Sequence, residues 1–111
     1  MNEITEQSIS VLTARQKKFL KGLGHDLPPV ILVGKEGMSE RLIGATDLEL
    51  ARHELIKIKI GSNSGLEKHE TAGSLAAATK STLVQLLGKT VLLYRKNPER
   101  PKEKQLVLPK G

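Results

Sequence analysis

The chain has no cysteine and no tryptophan, and it carries a single phenylalanine, Phe19, and a single tyrosine, Tyr94. Without cysteine there is no disulfide framework and no thiolate zinc site, and the composition suits a reducing compartment. With so few rings, base stacking of the kind used by RRM and OB-type single-strand binders is closed to it. No apolar run approaches the roughly 20 residues that span a bilayer. The first residues include Glu3 and Glu6 and lack a basic cluster ahead of an apolar stretch, which argues against a signal peptide. The expected location is cytoplasmic, with no membrane association.

What is present is basic charge. The 111 residues include 18 Lys and Arg against 12 Asp and Glu, a net +6. The length supports one small core, and hydrophobic and charged fractions of 38% and 27% are those of a globular domain. The cations are concentrated. Arg15, Lys17, Lys18, Lys21 and Lys35 are opposed over residues 14–35 only by Asp26, and Arg95, Lys96, Arg100, Lys102, Lys104 and Lys110 are opposed only by Glu99 and Glu103. Such a domain is biased toward polyanions. Lacking stacking rings, it must hold a nucleic acid through phosphates, sugars and backbone shape.

Residues 1–11 read as a flexible polar lead-in. Thr13 and Gln16 form a capping box, and the helix they start places Phe19, Leu20 and Leu23 inward with Lys17, Lys18 and Lys21 outward, until Gly24 and Pro28–Pro29 stop it. Val30–Val33 reads as a short buried strand. A second helix is expected from about Ser39 to Arg52, burying Leu42, Ile43, Leu48 and Ala51. From Glu54 the period becomes two: Ile56, Ile58 and Ile60 alternate with Lys57 and Lys59, a strand with one apolar and one basic face. Residues 61–65 form a loop, and a third helix over 67–80 buries Ala72, Leu75, Ala76 and Thr79. Strands over 83–87 and 91–94 are joined by Gly88-Lys89, which fits a two-residue hairpin turn. After Arg95, proline and charge suggest a basic tail over 97–111. The order α-β-α-β-α-β-β gives an α/β fold, a small mixed four-stranded sheet packed with helices, over a domain of residues 12–96.

One constellation carries chemistry. Gly34-Lys35-Glu36-Gly37 lies between a strand and a helix start. Glycines let the backbone turn and let a phosphate approach without meeting a Cβ, and the helix beyond offers N–H groups and the positive end of its dipole. A bare G-x-x-G is most often an ordinary turn. Its candidate company is Arg41 on the following helix, Arg15, Lys17, Lys18 and Lys21 on the first helix, and Lys57 and Lys59 on the strand.

Leu12-Thr13-x-x-Gln16, Pro29-Val30-x-x-x-Gly34-Lys35-x-Gly37, His53-Glu54-Leu55-Ile56-Lys57-Ile58-Lys59 and Leu83-Val84-Gln85-x-x-Gly88-Lys89-x-x-x-Leu93-Tyr94-Arg95 together resemble the CRM domain. This is the chloroplast RNA splicing and ribosome maturation family, here in its stand-alone bacterial YhbY-like form. The likeness covers about residues 12–95. It implies a fold akin to the C-terminal domain of translation initiation factor three, RNA binding through the loop Gly34, Lys35, Glu36 and Gly37, and association with ribosomal RNA in precursors of the large subunit. Leu32 and the interior Gly44 depart mildly from the family pattern, which bears on packing rather than on the loop. KH domains also clamp nucleotides with a G-x-x-G, but between two helices rather than after a strand.

Other readings are weaker. Gly88-Lys89-Thr90 imitates the end of a P-loop, yet Leu83 stands where that motif needs glycine. His25, His53 and His69 lack metal-ligand spacing, no nucleophile or paired-carboxylate arrangement stands out, and Tyr94 reads as packing. The expectation is a monomeric RNA-binding protein in ribosome assembly, not an enzyme, with no cofactor and no metal. The alternative is a protein-interaction module whose basic face meets an acidic protein.

Overall fold

Thr13 begins the first helix as the sequence indicates. Its Oγ1 accepts the Gln16 N–H and the Gln16 Oε1 accepts the Thr13 N–H, both at 3.1 Å, so the box is closed in both directions. The computed structural model describes residues 12–62 and 64–111, and the expected lead-in over 1–11 lies outside the described residues. Helix α1 spans Ala14–His25, strand β1 Pro29–Val33, helix α2 Glu40–His53, strand β2 Leu55–Ile60, helix α3 Lys68–Ala78, strand β3 Thr82–Leu87 and strand β4 Thr90–Tyr94, followed by a 3₁₀ turn over Lys102–Lys104.

The sheet order is β1-β2-β4-β3. β1 and β2 are parallel neighbours joined through α2, whereas β4 inserts between β2 and β3 and is antiparallel to both. The period of two in β2 sorts its side chains onto two layers. Ile56, Ile58 and Ile60 join Val33, Val91 and Leu93 beneath Leu50 of α2 and Ala72, Leu75 and Ala76 of α3. Leu55 joins Val84, Leu92 and Tyr94 beneath Leu20 of α1. Lys57 and Lys59 therefore belong to the α1 side of the sheet.

Several inward assignments change. In α1 only Leu20 and Gly24 are buried, while Phe19 and Leu23 are 37% and 40% exposed. The helix sits too close to the sheet for a wide apolar stripe: a Cβ on Gly24 would lie 2.6 Å from Leu92 Cδ1. In α2 the expected Leu48 is 51% exposed, and Leu50 and Thr46 face the core instead. Thr46 can do so because its hydroxyl donates to the Leu42 carbonyl at 2.8 Å. β1 is an edge strand, not a buried one, with Val30 and Leu32 at 43% and 65% exposure and only Val33 buried. The four positions expected inside α3 are all buried.

Residues 97–111, read from composition as a tail, pack back onto the α1 layer. Leu106 and Leu108 lie against the cluster around Leu20 and Tyr94, and Gln16 Nε2 donates to the Pro109 carbonyl at 3.0 Å. The anchor is Glu54, fully buried at the end of α2 with φ +65°. Its carboxylate accepts the Asn97 N–H at 2.8 Å, the Leu106 N–H at 2.8 Å and an Arg100 guanidinium N–H at 2.9 Å. A buried carboxylate is tolerable only when satisfied in this way. Burial and the nearby Glu54 carboxylate both push the Tyr94 phenol above its ordinary value, consistent with Tyr94 as packing.

Candidate nucleic-acid interface

The turn after β1 is closed by a hydrogen bond from the Gly37 N–H to the Gly34 carbonyl at 3.0 Å. Its two glycines serve different ends. Gly37 sits at φ +64° and is buried, with Leu66 Cδ1 3.4 Å from where a Cβ would be, so the turn requires glycine there. Gly34 is outside the left-handed region and a Cβ on it would meet nothing within 4 Å. Its bare backbone answers no demand of the fold. Lys35 and Glu36 are exposed at the tip.

Beyond the turn, Ser39 Oγ accepts the Leu42 N–H at 3.1 Å and caps α2. Arg41 is exposed in the first helical turn and lines, with the loop and Leu32, a depression of about 380 Å³. The expected cradle is thus on the surface, but it is not strongly positive alone. Glu36 and Glu40 stand beside Lys35 and Arg41, acid for base. The excess of positive charge comes from the neighbouring elements.

Register sets Lys59 beside Leu32, one of the residues that line the depression. Leu32 pairs with Lys59, Lys59 with Thr90, and Thr90 with Leu87, so these four side chains form one row across the sheet on the α1 side. At about 4.8 Å between strands the row is roughly 14 Å long. Lys59 is exposed in it. The hairpin tip stands at the same end, because the Ile60 N–H donates to the Lys89 carbonyl at 2.8 Å. Lys89 is therefore a further exposed cation beside the loop end, one that the sequence reading placed in the hairpin turn and left out of the candidate interface. Gly88 takes φ +60°, as the hairpin requires.

The row ends in a second, larger concavity of about 550 Å³ between α1 and the sheet, whose walls include Lys21, His25, Lys57, Gln85 and Thr90. Lys57 is half-buried here, and its Nζ donates to the His25 carbonyl at 3.3 Å, where it answers the negative end of the α1 dipole. It is a helix cap as well as a surface cation. At 100° per residue, Lys17 lies on the same flank of α1 as Lys21, Arg15 and Lys18 point away from the sheet, and Phe19 and Leu23 occupy the opposite flank. Arg15 is about 9 Å up the helix from Lys21, so it stands apart from the groove.

The structure thus gathers Gly34, Lys35, Glu36, Gly37 and Arg41 in one depression. Lys59 stands on the path out of it, Lys21 and Lys57 stand in the groove, and Arg15 and Lys18 lie on the outer side of α1. Basicity near the C-terminus is partly internal. Arg95 bonds to the Asp47 carboxylate and to the Thr79 carbonyl, and Arg100 is committed to Glu54. Among the described residues no group of His, Asp or Glu could hold a metal ion, and no helix is long and apolar enough to cross a membrane.

Comparison with known proteins bears on this geometry. The family profile described as the CRS1 / YhbY (CRM) domain matches residues 12–95. The Pseudomonas aeruginosa protein named "Probable RNA-binding protein PA4753" is 40% identical over 88 residues, covering 79% of this chain and 85% of its own length. "Probable RNA-binding protein YqeI" of Bacillus subtilis is 36% identical over 99 residues, covering 89% of this chain and the whole of its own. The solution structure of the hypothetical protein SAV1595 from Staphylococcus aureus superposes with a TM-score of 0.73 at 36% identity, over 89% of this chain and all of that one.

Proposed function

The chain belongs to the CRS1/YhbY (CRM) domain family, and we propose that it is an RNA-binding protein that holds ribosomal RNA in precursors of the large subunit and assists ribosome assembly. It acts in the cytoplasm as a monomer and catalyses no reaction. The observation that carries the reading is the row that leads from beside the loop depression through Lys59 to the groove at Lys57 and Lys21, a path of cations on the α1 side of the sheet in which Lys59 and Lys21 are exposed and Lys57 is half-buried. It supports a phosphate-tracking contact rather than a stacking platform, since Phe19 and Tyr94 both lie off that path.

The loop contributes shape more than charge. Gly34 leaves its backbone bare to an approaching phosphate, and Lys35 and Arg41 supply one ammonium and one guanidinium to offset Glu36 and Glu40. Lys59, Lys89, Lys57 and Lys21 supply the remaining attraction, which is screened by salt. The names of the relatives support RNA as the polyanion.

Filter binding to ribosomal RNA fragments in moderate salt tests the RNA contact, with an acidic protein as competitor. A density-gradient profile of a cell lysate tests the assembly role. The expected result is retention of RNA and co-migration with a precursor of the large subunit. Displacement by the acidic protein with no retained RNA would overturn the reading in favour of a protein partner.

A further inference from the structure

The groove between α1 and the sheet contains more than charge, and this goes beyond a phosphate track. We infer that it is a nucleotide pocket, which takes one unpaired base of bound RNA and reads its edge. The inference rests on the proposal that this surface meets RNA.

Three kinds of wall converge there. Lys21 and Lys57 are cations at the rim, matched to a phosphate. Leu87 and Leu92 give an aliphatic surface against which the face of a base can lie. Gln85 and Thr90 bring an amide that both donates and accepts and a hydroxyl that does the same, the equipment for a base edge. Both are half-exposed, and neither side chain is engaged in a hydrogen bond among the described residues. A volume of about 550 Å³ is within the range of small-molecule sites.

The pocket is also built in advance. Gly24 lets α1 rest directly on Leu92, which fixes the helix wall relative to the floor. Lys57 is held by the His25 carbonyl instead of swinging freely, so little side-chain freedom remains to be lost on binding. Thr90 belongs both to the pocket and to the row that starts at Leu32 beside the loop. A strand whose phosphates are held at the loop and Lys59 can therefore deliver its next base into the groove. A base can be recognised this way without an aromatic platform, through its edge and an aliphatic face.

The test uses the full chain. Titration with each of the four 5′-ribonucleotides, followed by methyl and side-chain amide NMR, is expected to shift Leu87, Leu92 and the Gln85 amide, whereas inorganic phosphate shifts only resonances beside the lysines. In filter binding to homopolymer RNAs, Gln85→Leu and Thr90→Val are expected to reduce the preference between bases by roughly two- to tenfold each, the range of one hydrogen bond. Their salt slopes and melting temperatures should match the parent. Nucleotide shifts confined to the loop, or an unchanged base preference in both variants, would overturn the pocket. A parent chain that retains no RNA would instead overturn the RNA reading, while the nucleotide titration still judges the groove.

Discussion

Replacing the two loop glycines one at a time separates fold from function. At Gly37 an alanine must adopt φ +64°, at a cost of roughly 1–2 kcal/mol, with its Cβ at the near limit of contact with Leu66. For a domain of this size that lowers the melting temperature by roughly 5–10 °C. At Gly34 neither penalty arises, because the backbone is not left-handed and the Cβ meets nothing within 4 Å. Alanine there restricts the unfolded chain and should stabilise by about 0.4–1 kcal/mol. If the bare backbone of Gly34 is where a phosphate approaches, the same methyl group displaces a charge-assisted contact and RNA affinity falls by about tenfold or more. Thermal unfolding by circular dichroism and filter binding at one salt concentration read both quantities. The reasoning fails if Gly34→Ala melts as early as Gly37→Ala, or if it binds RNA as tightly as the parent.

Glu54→Ala strips the acceptor from Arg100 and from the Asn97 and Leu106 N–H groups, and should cost about 3–5 kcal/mol in urea unfolding; a loss below about 1 kcal/mol would mean that the C-terminal segment is not anchored there. Glu67 caps α3 by accepting the N–H groups of His69 and Glu70, and these bonds together with the His69 side chain lower its carboxyl pKa from 4.5 to about 2. A carboxyl whose folded pKa is depressed adds stability that is complete above its unfolded value and is lost as pH falls from about 4.5 toward about 2. The Glu67 carboxyl resonance should thus titrate near the lower value and Glu67→Gln should remove that part of the acid sensitivity, whereas a midpoint near 4.5 would contradict the cap.

Much of the fold was legible because its signals are local. The Thr13–Gln16 box, the alternation of Ile56 to Ile60 and the spacing of Ala72, Leu75, Ala76 and Thr79 each follow from a neighbour three or four residues away, or two, and each appears as expected. Glu54 could not be read so. Its partners lie 43 to 52 residues along the chain, and a charged residue carries no pattern that marks it for burial. The same contact explains the misread tail, where proline and charge masked Leu106 and Leu108. Thr46 and Leu48 exchanged roles because a threonine bonded to its own helix passes for apolar. At the candidate site, sequence supplied the loop and the lysines, but their association depends on the register across β1, β2, β4 and β3, which also brings in Lys89, Gln85 and Thr90.

The dependence of RNA affinity on salt tests the central claim most directly, since each phosphate neutralised contributes about −0.7 to −0.9 to the log–log slope and roughly five contacts give about −4. Lys35→Ala with Lys59→Ala, two cations at the loop end, should make the slope shallower by about 1.5, while Lys102→Ala with Lys104→Ala, in the C-terminal turn, should leave it as it was. Equal losses from both pairs, or none from the first, would contradict an interface centred on the loop and the row beside it.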